Sequence, residues 1–195
     1  MIKIGILAPE NSKEIAKTFL DIFKMNHIVV AICENSKEIK NKISFFEKNR
    51  IEYALITFDQ HLIYPIDLDV LILDNAPNTT LVTYSLIDCV NDKTILIYNT
   101  DNGYLPKLEH QNAIDYGFSA TSSVTVSSID YFNEKKSFVL YVQQPLHNPF
   151  CDDILISEIP ITPINNQEIS NQLPAVITAL LFDIPICNTI NKLKI

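Results

Sequence analysis

Four short runs of β-forming residues constrain this chain more than any other feature. They are residues 2–7 (IKIGIL), 27–33 (HIVVAIC), 53–58 (YALITF) and 69–73 (DVLIL). Apolar runs this short, without polar alternation, suit strands buried on both faces. Amphipathic stretches separate them. From Lys13, the positions Ile15, Phe19, Ile22 and Phe23 recur at helical spacing, with Asn11 or Ser12 as the N-cap. Ile39, Ile43 and Phe46 give residues 36–49 one apolar stripe, which predicts a surface helix. This β-α-β-α-β alternation predicts an α/β, three-layer fold on a mainly parallel sheet with right-handed crossovers. A break at 77–80, a helix at 81–89 and a strand at 94–98 extend the pattern.

After Gly117 the period changes. Residues 123–131 (SVTVSSIDY) alternate, N-E-K-K reads as a turn, and 137–143 and 153–159 supply two more β segments. They predict a small antiparallel β-meander beside the main sheet. Pro160, Pro163 and Asn165 mark a linker. A last helix spans 167–182, with Ile169, Leu173, Val176, Ile177, Leu180 and Leu181 at helical spacing; Pro174 marks either a kink or a late start. The expected organisation is one domain over 1–195, with a β-meander subdomain at 119–163.

Composition narrows the function classes. Hydrophobic residues make up 47 % and charged residues 19 %, which describes a packed globular chain. The net charge is −8 and no Lys/Arg run occurs, so neither a nucleic-acid nor an anionic-membrane partner is expected. No stretch reaches the roughly 18 apolar residues of a membrane helix. The N-terminal apolar run is too short for a signal peptide. The four cysteines, Cys33, Cys89, Cys151 and Cys187, lack C-x-x-C spacing. That pattern indicates no metal site and suits reduced thiols in the cytoplasm.

The segment with most chemical content follows the strand at 94–98. Asn99, Asp101, Asn102 and Gly103 are all turn-prone. In open α/β sheets ligands sit outside the carboxyl ends of the strands. An amide and a carboxylate placed there can read a base edge or a ribose hydroxyl. The alternative is that N-T-D-N-G is a tight turn and nothing more. Asp59, His61 and Asp74 also lie near predicted strand ends as a candidate acid–base set, with a satisfied structural role for His61 as the alternative, and Asp59, His61 and Asn75 form a candidate polar cluster. No G-x-S-x-G elbow offers a hydrolase nucleophile, and no catalytic residue is assigned.

The order of these motifs resembles the central, ATP-binding domain of the Mur ligases, which add amino acids to the peptidoglycan precursor. Asn99 and Asp101 match that family's N-x-D pair, and residues 114–118 (IDYGF) match its strand ending at Gly. In the helix N-Q-L-P-A-V-I-T-A-L-L-F-D-I-P, Asn171 matches the second helix Asn. The resemblance implies a P-loop-like α/β domain, ATP or ADP as cofactor, and a link to the cell wall. It implies a nucleotide site at Lys13, Asn99, Asp101 and Asn171.

The departures are chemical. The family's phosphate loop is G-T-N-G-K-T-T; here it is L-A-P-E-N-S-K-E. Lys13 remains, but Ser12 replaces Gly, Glu14 replaces Thr, and Pro9 removes an amide donor. Glu10 and Glu14 bring negative charge to the triphosphate's position, at a Coulomb cost of roughly 4 kcal/mol per close pair at intermediate dielectric. Thr57 stands where the family has a magnesium-binding Glu, and Thr79 and Thr80 replace an Asp-His pair. His61 and Asn75 fit the family, and Asp59 is a substitute oxygen ligand. The expectation is a degenerate, stand-alone, non-catalytic Mur-ligase-like protein with a nucleotide- or protein-binding role. The alternative is an ATP-dependent ligase subunit that takes its acceptor and ligase domains from a partner chain.

Overall fold

The computed structural model describes residues 1–58, 63–74, 89–101, 111–132, 135–148, 150, 152–162 and 164–186. The expected break at 77–80 and helix through 88 lie outside them, as do Asp59, His61, Asn75, Thr79, Thr80, Cys151 and Cys187.

Six strands form the parallel part of one sheet: β1 (Ile2–Leu7), β2 (Val30–Glu34), β3 (Tyr53–Thr57), β4 (Val70–Leu73), β5 (Ile95–Asn99) and β6 (Ala113–Tyr116). Three more continue it: β7 (Val124–Phe132), β8 (Lys135–Val142) and β9 (Ser157–Ile161). Among the described residues the sheet has nine strands in the order β2-β3-β1-β4-β5-β6-β7-β8-β9. A single parallel pair, Tyr116 with Val124, joins the two parts. β7, β8 and β9 are antiparallel, with a register shift between Val126 and Ser128.

Period-two alternation assigns the faces. Ile4, Ile6, Val70, Ile72, Ile95, Ile97, Ile114 and Tyr116 pack on one face, against α1 (Ser12–Met25) and α3 (Ile169–Leu181). Leu7, Ala54, Ile56, Leu71, Leu73 and Leu96 face the other layer, where α2 (Ile39–Lys48) brings Ile39 and Ile43. The predicted three-layer α/β fold is therefore present. Gly5 allows β1 to lie close to its cover, since a Cβ there would come within 2.6 Å of Leu68 Cδ1.

Several boundaries differ from the sequence reading. β2 starts at Val30 because His27 is the left-handed residue that ends α1 (φ 56°). The third meander strand runs over 157–161 rather than 153–159, so Pro160, expected in a linker, lies within it. β9 is an edge strand, where a missing N–H costs no ladder bond. Residue Ile154 instead makes an isolated bridge with Leu146. Finally, α3 begins before Pro174 and continues through it. Leu173, Pro174, Ala175, Val176 and Ile177 are all buried, and that packing offsets the roughly 3 kcal/mol cost of an interior proline.

Candidate functional site at the carboxyl ends of the strands

The β1–α1 connection is short and closes on itself. The backbone amides of Asn11 and Ser12 both donate to the Ala8 carbonyl, at 3.1 and 2.8 Å. Helical bonding then starts with Ile15 N–H to Asn11 O, at 3.0 Å. Asn11 is the N-cap residue, yet its side chain makes no capping bond. Its Nδ2 reaches across to Asp74 Oδ2 instead, at 3.0 Å.

Asp74 follows the last residue of β4 and is 1 % exposed. Its backbone N–H donates to Leu7 O (3.1 Å), which fixes it beside the end of β1. Its second oxygen accepts Asn99 Nδ2 at 2.6 Å, so one carboxylate ties β1, β4 and β5 together. Asn99 in turn accepts the Asp101 N–H through Oδ1, at 2.9 Å. This is an Asx turn, the local bond Asn favours where a strand stops. Both Asp101 carboxylate oxygens accept the Phe118 N–H, at 2.9 and 2.8 Å. Thr100 Oγ1 is bonded to Tyr116 O at 3.1 Å and to Ser122 Oγ at 2.8 Å. The closeness of β5 and β6 here depends on Gly117, where a Cβ would lie 2.6 Å from Asp101 Oδ1.

These bonds form a continuous polar network over the ends of β1, β4, β5 and β6. Tyr116 is buried under it. Burial and the neighbouring Asp74 charge push its phenol well above the usual tyrosine range. The network places the Asp74 carboxylate, bonded to two side-chain amides, at the strand ends where a phosphate loop presents amide donors.

The sequence-predicted residues are distributed as follows. Asn99 and Asp101 meet within this network. Asn171 sits in the first turn of α3, buried, with no hydrogen bond to either of them, and its Oδ1 has no partner among the described residues. Lys13 is exposed on α1 and faces a different feature, an open cleft of about 1050 Å³ at the ends of β2 and β3. Asp59, His61 and Asn75 lie outside the described residues. Among the described residues no group of three or more His, Cys, Asp or Glu could hold a metal ion. The sequence alone offers Asp74 only as one member of an acid–base set, and Asn11 only as a cap. The signal available for Asp74 was an acid directly after a fully apolar strand, D-V-L-I-L-D.

No protein-family model matches the sequence, and no curated protein matches it. Solved structures do match. One is a UDP-N-acetylmuramoyl-L-alanyl-D-glutamate–2,6-diaminopimelate ligase, with a TM-score of 0.68 and 12 % identity over 95 % of this chain and 44 % of that one. This chain has a Mur-ligase-like fold. A second match is MurF from Acinetobacter baumannii, with a TM-score of 0.62 and 11 % identity over 93 % of this chain and 43 % of that one. A third is MurF from Thermotoga maritima in complex with ADP, with a TM-score of 0.50 and 12 % identity over 97 % and 49 %. The chain thus spans less than half the length of each solved ligase. Identities this low carry the Mur-ligase-like fold, and the resemblance of its α/β architecture to their central domain, and nothing finer. No helix among the described residues is long and apolar enough to cross a membrane.

Proposed function

We propose that this chain is a non-catalytic, Mur-ligase-like binding protein linked to cell-wall precursor metabolism in the cytoplasm, with its buried thiols Cys33 and Cys89 kept reduced. The observation that carries this reading is the β1–α1 turn. A phosphate loop works by aiming successive backbone amides at the anion. Here the Asn11 and Ser12 amides are spent on Ala8 O, and Pro9 has none to offer. Glu10, Glu14 and Asp74 add negative charge around the turn.

A base-reading end is a separate matter. Asn99 keeps one Nδ2 hydrogen beyond its bond to Asp74, and Asp101 keeps lone pairs beyond its bond to Phe118. Any nucleoside held there is held weakly and without help from magnesium. The experiment is ATP turnover by the purified chain, with and without magnesium. No phosphate release is expected. Magnesium-dependent release that Lys13→Ala abolishes would overturn the reading.

The second reading is an ATP-dependent ligase subunit completed by a partner chain. It is favoured by the exposed Lys13 at the start of α1. Co-purification with a second Mur-like polypeptide, with turnover appearing only in the complex, would place it first.

A further inference from the structure

The cleft at the ends of β2 and β3 is unlike the rest of the molecule. Lys13 and Lys17 line it from α1, and Lys37 lines it from the connection between β2 and α2. Among the described residues no ion pair reaches any of the three. Lys13 and Lys17 stand one turn apart on the same helix face, where like charges destabilise a helix. The chain as a whole carries −8, yet it gathers three cations here against one lining acid, Glu34.

The floor is apolar. Ile32 remains 45 % exposed although it is an aliphatic strand residue, and Leu20 lines the same cleft from α1. One wall is fixed: Asn35 Nδ2 donates to Tyr64 O at 2.9 Å and Asn35 Oδ1 accepts the Tyr64 N–H at 2.6 Å. At about 1050 Å³ the cleft is as large as the upper end of small-molecule sites, roughly 1,000 Å³. A preformed wall, an apolar floor and converging unpaired cations are the parts such sites use.

We propose that this cleft binds a small organic phosphate, with the phosphate between Lys13, Lys17 and Lys37 and an apolar body on Ile32 and Leu20. It stands apart from the Asn99 end of the sheet and does not depend on the chain being catalytically inactive. Neither part suffices alone: the lysines supply long-range attraction that salt weakens, and the floor supplies contact area.

The test uses the full chain and three probes followed by calorimetry: 1-naphthyl phosphate, 1-naphthol and inorganic phosphate. Saturable binding of 1-naphthyl phosphate is expected, tighter than either fragment and weakened by salt. The variant Lys13→Gln/Lys17→Gln/Lys37→Gln should weaken it about tenfold or more, and Glu34→Gln should tighten it about twofold. All four residues are exposed, so the fold is retained; circular dichroism checks this. If the triple variant fails to fold, Glu34→Gln and the salt dependence decide. Absence of binding, unchanged binding in the triple variant, or 1-naphthol binding as well as its phosphate would overturn the proposal. Inorganic phosphate binding as tightly as 1-naphthyl phosphate would overturn the role of the floor.

Discussion

Two regions lie along the same edge of one sheet and treat their polar groups in opposite ways. Over β1, β4, β5 and β6, polar groups are bonded to one another: Asn11 and Asn99 to Asp74, Asp101 to Phe118, Thr100 to Ser122. Over β2 and β3, Lys13, Lys17 and Lys37 face an open cleft with no ion pair among the described residues. The first arrangement stabilises the fold and leaves little for a ligand. The second contributes little to stability and leaves its charges for something else. Within a fold shared with Mur ligases, side-chain bonding separates structural polar groups from available ones better than position along the edge does.

The sharpest way to break the comparison is Asp74→Leu. It leaves the Asn11 and Asn99 amides without their shared acceptor in a buried setting, and the expected loss is about 3 kcal/mol in denaturant unfolding. A loss below about 1 kcal/mol would mean the network is incidental. The triple lysine variant should change stability by less than about 0.5 kcal/mol by the same measurement, because exposed lysines without partners contribute little.

Next in size is Gly117→Ala. Its Cβ would enter the space of the Asp101 carboxylate, and about 1–3 kcal/mol of destabilisation is expected. Combining it with Asp101→Ala should be less damaging than the sum of the two changes, which a double-mutant cycle reads directly. Additive losses would show that Asp101 can move aside.

Tyr116 gives a pH test of the closed region. Its folded pKa is raised by burial and by Asp74, so the neutral phenol belongs to the native state. A raised group contributes stability that is complete below its unfolded pKa, near 10, and that is lost as pH rises toward the folded value. Stability should therefore fall on the alkaline side of pH 10, and Tyr116→Phe should flatten that limb. An unchanged slope would point to another group.

The smallest expected effects lie at the opposite ends of the helices. His27, Arg50 and Asp183 are non-glycine residues in the left-handed region, with φ of 56°, 57° and 50°. Each ends a helix with the same pair of bonds. After α1, for example, Ile28 N–H reaches Phe23 O (2.9 Å) and His27 N–H reaches Lys24 O (3.3 Å). Replacing His27 or Arg50 by Gly should stabilise the chain by about 0.5–1 kcal/mol and alter binding at neither region.

These helix ends also explain part of what the sequence hid. A chain with three glycines has few residues that announce a helix stop, so α2 and α3 were read longer than they are. The interior was plain to read: IKIGIL and DVLIL are buried strands because nothing in them suits a surface, and α1 shows its apolar stripe at Ile15, Phe19, Ile22 and Phe23. β9 was misplaced because Pro160 reads as a breaker unless the strand is known to lie at an edge. At the candidate site, the Asn99–Asp101 turn is local and shows in N-T-D. The Asn11–Asp74 bond joins residues from distant parts of the chain, and no local pattern carries it.

The most direct test of the central claim is calorimetric titration of the full chain with ATP, with and without magnesium, beside adenosine as a probe of the base end alone. The closed turn at Ala8, Asn11 and Ser12 predicts that magnesium leaves the ATP affinity unchanged within about threefold, whatever the cleft lysines contribute. ATP binding tightened about tenfold or more by magnesium would contradict the account. It would mean that the turn opens to cradle phosphate.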